Sequence, residues 1–470
     1  MHMSASLQTK NQHLIWRAGF GPTAGQWEGF KDTPLKRTLK ALEAGSRTPY
    51  HPFLIASVKE DNNGMMDAKD RQALQKRNRE EIKTLNLAWL DRMVSGEQML
   101  REKMAFFWHG HFAARTQNAL YAQGLLNSIR EHALGDFGTL LRAVSKSPAM
   151  LAFLNNQQNR KQRPNENFAR EVMELFTLGR GHYTETDVKE AARAFTGWQY
   201  DRDGAFRFRA NLHDDGEKTV LGVSGRLTGD DVIDILLKKP ETAEFITRKI
   251  WRFFVNEQID ELLVRKLSDR FFRSGYDISA LMHEIFSADF FYASTNLGCR
   301  IKSPVELIVG IRRMLPMHIA NPDVQLLMQR VLGQVLLYPP NVAGWPGGKD
   351  WIDGASLMYR MQIPGMVAGR EMTVIRAKDD DDMEMGMSGR RYERRQARAL
   401  DIRIDWNAIV NGLSNVRREE LLVATARLLW QTSQLPEGAI IEKHMDPSSR
   451  EAYIRSAFIR LMGSPEYQLC

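Results

Sequence analysis

Apolar residues recur along most of this chain at the three-to-four-residue spacing that places them on one face of an α-helix. The clearest stripe is Asn167–Leu178, where Phe168, Val172, Leu175 and Phe176 fall at i, i+4, i+7 and i+8, and Gly179 and Gly181 stop it. Upstream, Asp67–Met93 reads as a long polar helix ending in Leu85, Leu87, Trp89 and Leu90. Ser95-Gly96-Glu97-Gln98 resembles a capping box that starts the next helix through Phe107. Gln117–Leu134, Phe137–Val144 and Pro148–Leu154 continue the series, and Thr184 with Asp187 caps a helix running to Phe195. The period changes at residues 198–222, where aromatic and polar residues alternate around Asp203-Gly204, the pattern of a β-hairpin. Helical spacing returns at Asp230–Leu237, Glu241–Val255, Ile278–Phe286, Pro304–Met314, Val324–Leu337, Glu419–Leu429 and Arg450–Leu461. The pattern predicts a mainly α fold, a large multi-helical, bundle-like domain with a small β-hairpin insertion. Its main body is expected over residues 5–375. A charged, Met-rich loop at 376–400 then leads to a C-terminal helical portion, 401–470, packing on that body. No repeat of 20–50 residues is visible, which argues against a solenoid.

The 470 residues, 43% hydrophobic and 26% charged, have the composition of a soluble globular protein and allow a sizeable core. No apolar run reaches the roughly 18 residues of a membrane helix. With only Cys299 and Cys470, neither a disulfide framework nor a cysteine zinc site is expected. The opening residues lack a charged then apolar leader, so a cytoplasmic location is the expectation as written, with export as the alternative if a leader has been removed. The net charge of +8 is mild. Eight basic and seven acidic side chains between Arg376 and Arg403 nearly cancel, so nucleic-acid binding ranks last.

Candidate chemistry gathers on a few short motifs. Asn167, Arg170, Glu171 and Glu174 share one polar helix face opposite the apolar stripe. Facing a cleft, Glu171 and Glu174 could hold a metal or serve as acid and base beside Arg170; facing solvent, they form an ion-pair ladder, Glu166–Arg170–Glu174. His109 and His111 flank Gly110 at the end of a helix. They could converge as ligands for zinc, iron or copper, or lie satisfied in an aromatic core. His182 reads as a cap beyond the Glu171/Glu174 helix. His213, beside Asp214, is a further ligand candidate or a loop residue. The metal set would be His109, His111, His213, Glu171 and Glu174, with no zincin or ferritin-like spacing behind it. Pro339-Pro340-Asn341 and Gly344-Trp345-Pro346 form a rigid loop. There Asn341 and Trp345, with Asn167, could contact a substrate.

Several segments together carry a resemblance. They are His13-Leu-Ile-Trp-Arg17, Phe107-Trp108-His109-Gly110-His111-Phe112, Asn165-Glu166-Asn167 through Glu174-Leu-Phe-Thr-Leu-Gly179, Ala194-Phe-Thr196-Gly197-Trp198, Lys302-Ser303-Pro304-Val-Glu306 and Pro339-Pro340-Asn341-Val-Ala-Gly344-Trp345. The chain resembles the bacterial domain-of-unknown-function family 1800 over roughly residues 13–365, and more weakly to the end. The resemblance implies a partner, because members are often encoded beside a family similar to alkaline phosphatases and sulfatases. It also implies export for many members. Two functions follow as expectations. One is a metal-assisted enzyme built on the Glu171/Glu174 helix with His109, His111 and His213, using a divalent or transition metal ion. The other is a non-catalytic binding or assembly protein acting with the phosphatase- or sulfatase-like partner.

Overall fold

The computed structural model describes residues 6–26, 28–57, 67–369, 401–432 and 442–470. The charged 376–400 stretch lies outside them. The first half carries α1 (Leu7–Arg17), α2 (Leu35–Ser46), α3 (Ala68–Ser95), α4 (Met99–His111), α5 (Ala119–His132), α6 (Phe137–Ser145), α7 (Pro148–Phe153), α8 (Asn167–Glu171) and α9 (Glu185–Ala194). Two hairpins follow, β1 (Trp198–Tyr200) with β2 (Phe206–Phe208) and β3 (Lys218–Val220) with β4 (Val223–Gly225). Then come α10 (Gly229–Leu237), α11 (Pro240–Phe254), α12 (Glu261–Arg273), α13 (Ile278–Ser287), α14 (Pro304–Met314), β5 (Met317–Ile319), α15 (Asp323–Val331) and α16 (Gly354–Val367). The chain closes with β6 (Ile402–Ile404), α17 (Trp406–Gly412), α18 (Leu421–Leu429) and α19 (Arg450–Met462). The fold is mainly α, with small antiparallel two-stranded sheets.

Local chemistry explains most boundaries. Thr184 and Asp187 form the full reciprocal capping box expected for α9. Asp203-Gly204 turns the first hairpin, with Gly204 at φ +82° and Trp198 opposite Phe208. The box expected at Ser95–Gln98 is absent. Ser95 is the last residue of α3, Gly96 takes the left-handed C-cap at φ +76°, and the Gln98 amide donates instead to Thr48 and to the Pro49 carbonyl. The glycine one residue beyond Ser95 decides this, because a left-handed C-cap ends a helix where an N-cap would have begun one. The second hairpin, turning at Leu221-Gly222, and the β5–β6 ladder were not expected.

A continuous apolar core runs from α1 to the C-terminal segment. Residues beyond 401 join it through the β5–β6 ladder, the Ile301–Leu469 bridge and a hydrogen bond from the buried Lys302 ammonium to the Tyr467 carbonyl at 2.6 Å. No helix of the described residues is long and apolar enough to cross a membrane. Gly135-Asp136-Phe137 and Tyr276-Asp277-Ile278 face each other across an antiparallel bridge. Phe137 N–H donates to Tyr276 at 3.1 Å and Ile278 N–H donates to Gly135 at 3.0 Å. Each aspartate caps its own helix, α6 or α13.

Helix α4 crosses this core and is anchored near its start by buried charges. Glu102 accepts a fork from buried Arg130 and the indole N–H of Trp89 at 2.9 Å, and Lys103 pairs with Glu306. Buried charges persist only when matched in this way. They fix the first turns of α4, whose last turn carries His109-Gly110-His111.

Candidate functional site

Two helical residues separated by one point to nearly opposite sides, so His109 and His111 diverge. His109 Nε2 accepts the Leu337 backbone N–H at 3.1 Å, and its ring stands edge-on to Trp89 and against Trp345, with centroids 5.1 and 5.2 Å away. Burial holds its pKa down to about 3. His111 looks the other way. Its Nε2 donates to the Phe176 carbonyl at 3.2 Å, and its Nδ1 receives the Lys249 ammonium at 3.1 Å. Burial, then the neighbouring Lys249 charge, keeps His111 neutral well below its ordinary range. Both imidazoles are therefore committed to framework bonds in opposite tautomers.

The Asn167–Leu178 stripe is helical but not uniform. α8 ends at Glu171, and Val172–Thr177 forms a wide π-helical turn closed by Leu178 N–H to Met173 at 2.8 Å. Carbonyls in the last turn of a helix lack intrahelical donors. Here Lys249, from α11, donates to Leu175 at 3.2 Å and His111 donates to Phe176. The Lys249 pKa is lowered to about 8, first by burial and then by Arg252.

On the opposite side of this turn lie the polar candidates. Arg170 forks onto Glu185 at 2.7 and 2.8 Å and reaches Glu166 at 3.2 Å. The ladder expected from Arg170 to Glu174 is replaced. Glu174 binds the Tyr183 hydroxyl and Arg180 Nε, which hold its carboxyl below the usual range. Glu171 is half-buried and has no hydrogen-bond or ion-pair partner among the described residues. Burial, then the Glu174 charge, raises its pKa. Asn167 is exposed and donates to the Leu154 carbonyl at 3.2 Å.

The Pro/Gly/Trp loop sits on the far side of α4. Gly344, at φ +86°, passes over the Gly110 carbonyl so closely that a Cβ there would stand 2.3 Å from that oxygen. Asn341 shapes the turn, its carboxamide oxygen accepting Ala343 N–H at 2.9 Å and its carbonyl accepting Gly344 N–H at 3.1 Å. Asn341, Ala343, Pro346 and Gly347 are exposed, and Trp345 is part-exposed above His109. His213 lies elsewhere, buried under the first hairpin, with Nδ1 on the Thr196 carbonyl at 2.9 Å and Phe208 against its ring. Its neighbour Asp214 turns away to Arg193 at 2.7 Å. His182 is exposed.

The structure thus brings Arg170, Glu171 and Glu174 onto one short face. It places His109 with Trp345 and the 337–345 loop, His111 with Lys249, and His213 apart from all of them. The expected convergence of imidazoles with carboxylates is not what the fold builds. Among the described residues no three His, Cys, Asp or Glu side chains are placed to hold one metal ion. Lys249 was missed, and Gly344 was read as part of the rigid loop without its contact on Gly110. The signal for Lys249 was a lysine between Phe245 and Phe253, four residues to either side on one helix face.

A family model described as a protein of unknown function, DUF1800, matches residues 13–469. The chain belongs to the DUF1800 family. No curated protein and no solved structure matches it. The DUF1800 match runs past residue 365, where the sequence motifs thin out, and includes the Ile301–Leu469 bridge and the β5–β6 ladder.

Proposed function

We propose that this protein is a non-catalytic binding or assembly protein whose partner-facing element is the exposed loop Asn341–Gly347. The observation that carries the reading is the seat of Gly344 on the Gly110 carbonyl. That contact, with His109 beneath Trp345, fixes an exposed, aromatic-bearing loop to the rigid end of a buried helix. Such a loop enters a complex with little conformational entropy left to lose. The partner in this reading is the phosphatase- or sulfatase-like protein that family resemblance suggests. The test mixes the purified pair and measures affinity by calorimetry. Trp345→Ala is expected to weaken the complex at least about tenfold, as for a part-buried aromatic anchor. An unchanged affinity, or no complex at all, defeats the proposal.

A second reading rests on a different observation. Glu171 and Glu174 are neighbours whose carboxyls are pushed in opposite directions, the pattern of an acid paired with a base. In this reading Arg170 orients a substrate, and a divalent metal ion, if used, binds at the two carboxylates without help from the histidines. Saturable zinc or manganese binding that disappears in Glu171→Gln supports the metal form. Binding unaffected by Glu171→Gln removes it.

A further inference from the structure

A cavity of about 630 Å³ opens where the C-terminal ends of α2, α5 and α12 meet the first turns of α4, α6 and α13. That volume lies within the roughly 300–1,000 Å³ of small-molecule sites. Its walls are polar and of both signs. Four carboxylates, Glu43, Glu131, Asp136 and Asp277, share them with two guanidiniums, Arg47 and Arg101. A helix C-terminus carries partial negative charge, so three of them ending here add to the carboxylate side.

The charged groups divide into two places. Asp136 lies five residues beyond Glu131 and is bridged to Asp277. Each of these two aspartates uses only Oδ1 to cap its helix, Asp136 accepting from Thr139 and Asp277 from Ala280, so each keeps an unused oxygen. Glu43 is held by His283 at 2.7 Å. Arg101 and Glu131 make up the other place. Arg101 is nine-tenths buried, and its Nη atoms donate to the carbonyls of Ser46 at 2.6 Å and of Arg130 and Glu131 at 3.1 Å. Its Nε–H is buried without an acceptor. A buried donor left unmet is destabilising, and native folds rarely keep one that nothing binds. Burial lowers the Arg101 pKa, opposed by Glu102 and, more weakly, by Glu131. The exposed side chains of Glu131 and Arg47 make no hydrogen bond or ion pair among the described residues.

A carboxylate beside a guanidinium at one place, and paired carboxylates at another, match a molecule that carries a nitrogen and a carboxylate on one carbon and a cation farther along. We propose that this cavity binds a basic α-amino acid, either free or as the C-terminal residue of a peptide. Arg101 and Arg47 take the α-carboxylate, as guanidiniums suit its two oxygens. Glu131 takes the α-nitrogen, as ammonium or amide N–H. Asp136 and Asp277 take the side-chain cation through their unused oxygens. The site stands independently of both readings above, since none of its residues belongs to the Asn341–Gly347 loop or to the Arg170–Glu174 face.

The test is calorimetric titration of the full chain with L-lysine, glycyl-glycyl-L-lysine and cadaverine, which is lysine without its carboxylate, against sodium chloride at matched ionic strength. Saturable binding of L-lysine or the tripeptide is expected, at least about tenfold weaker for cadaverine and weakened about tenfold by Glu131→Gln. The Glu131 side chain is exposed and unbonded, so Glu131→Gln leaves the fold intact, which circular dichroism checks. Tighter binding of the tripeptide than of L-lysine identifies a peptide C-terminus as the ligand, and the reverse order the free amino acid. Heat indistinguishable from the chloride control for both lysine ligands, cadaverine binding as tightly as they do, or an affinity that Glu131→Gln leaves unchanged overturns the proposal.

Discussion

Replacing Gly344 with alanine tests the joint between the loop and α4. Two costs arise from the structure. The backbone sits at φ +86°, where a side chain costs about 1–2 kcal/mol. The new Cβ would also stand 2.3 Å from the Gly110 carbonyl oxygen, an atom of helix backbone that cannot rotate aside. The loop must lift by about 1 Å, which strains the Leu337–His109 bond and the packing of Trp345. Together these give a loss of about 3 kcal/mol, within the range of the larger single-site effects. Two other glycines supply controls. Gly347 is at φ −134° with nothing near its would-be Cβ, and Gly110 lies in the helix with its own Cβ position open. Gly347→Ala should be neutral within about 0.5 kcal/mol, and Gly110→Ala neutral or stabilising by up to about 1 kcal/mol. Urea unfolding followed by tryptophan fluorescence reads all three. A Gly344→Ala protein as stable as its parent, or a Gly110→Ala protein as damaged as Gly344→Ala, refutes the reasoning.

Two other outcomes follow from buried and capping groups. His13, His109 and His111 all have folded pKa values below the ordinary 6.5 because burial disfavours the cation. The unfolded chain therefore holds more protons below pH 6.5, and stability falls as pH drops, by up to about 4 kcal/mol per unit for the three together. Denaturant titrations at pH 7, 6 and 5 should show that slope, and a flat profile would count against neutral burial. Thr184→Ala removes one half of the capping box on α9, which Asp187 completes. It should cost about 1 kcal/mol, and no measurable loss would mean that tertiary packing alone holds that helix.

How much of this was legible from residues alone divides along physical lines. Most helices and the Thr184–Asp187 cap were readable, because periodicity and capping act within one turn of chain, but α1, α2, α12 and α16 were not expected. The first hairpin was readable for the same reason, through Asp203-Gly204. The Ser95 box failed because Gly96 serves as the left-handed C-cap of α3 at the same place. The β5–β6 ladder joins segments about eighty residues apart, and the Asp136–Asp277 dyad joins segments still further apart, so neither leaves a local signal. The site was half legible. The polar face of Arg170, Glu171 and Glu174 exists as expected, but the π-helical turn redirects Glu174 to Arg180 and Tyr183. The histidines could not be placed from sequence, since i, i+2 spacing converges at a frayed helix end and diverges on an intact one. α4 stays helical through His111 because Leu337, Phe176 and Lys249 hold both rings where the helix puts them.

Long-range nitrogen–carbon NMR of the histidine rings tests most directly whether the His109-Gly110-His111 turn is a framework joint. The bonding requires His109 to carry its proton on Nδ1 and His111 to carry its proton on Nε2, with both rings neutral down to pH 5 and unmoved by added zinc. Matching tautomers, a ring that titrates near 6.5, or resonances of both rings shifting together on zinc addition would contradict the account and return the pair to the role of metal ligands.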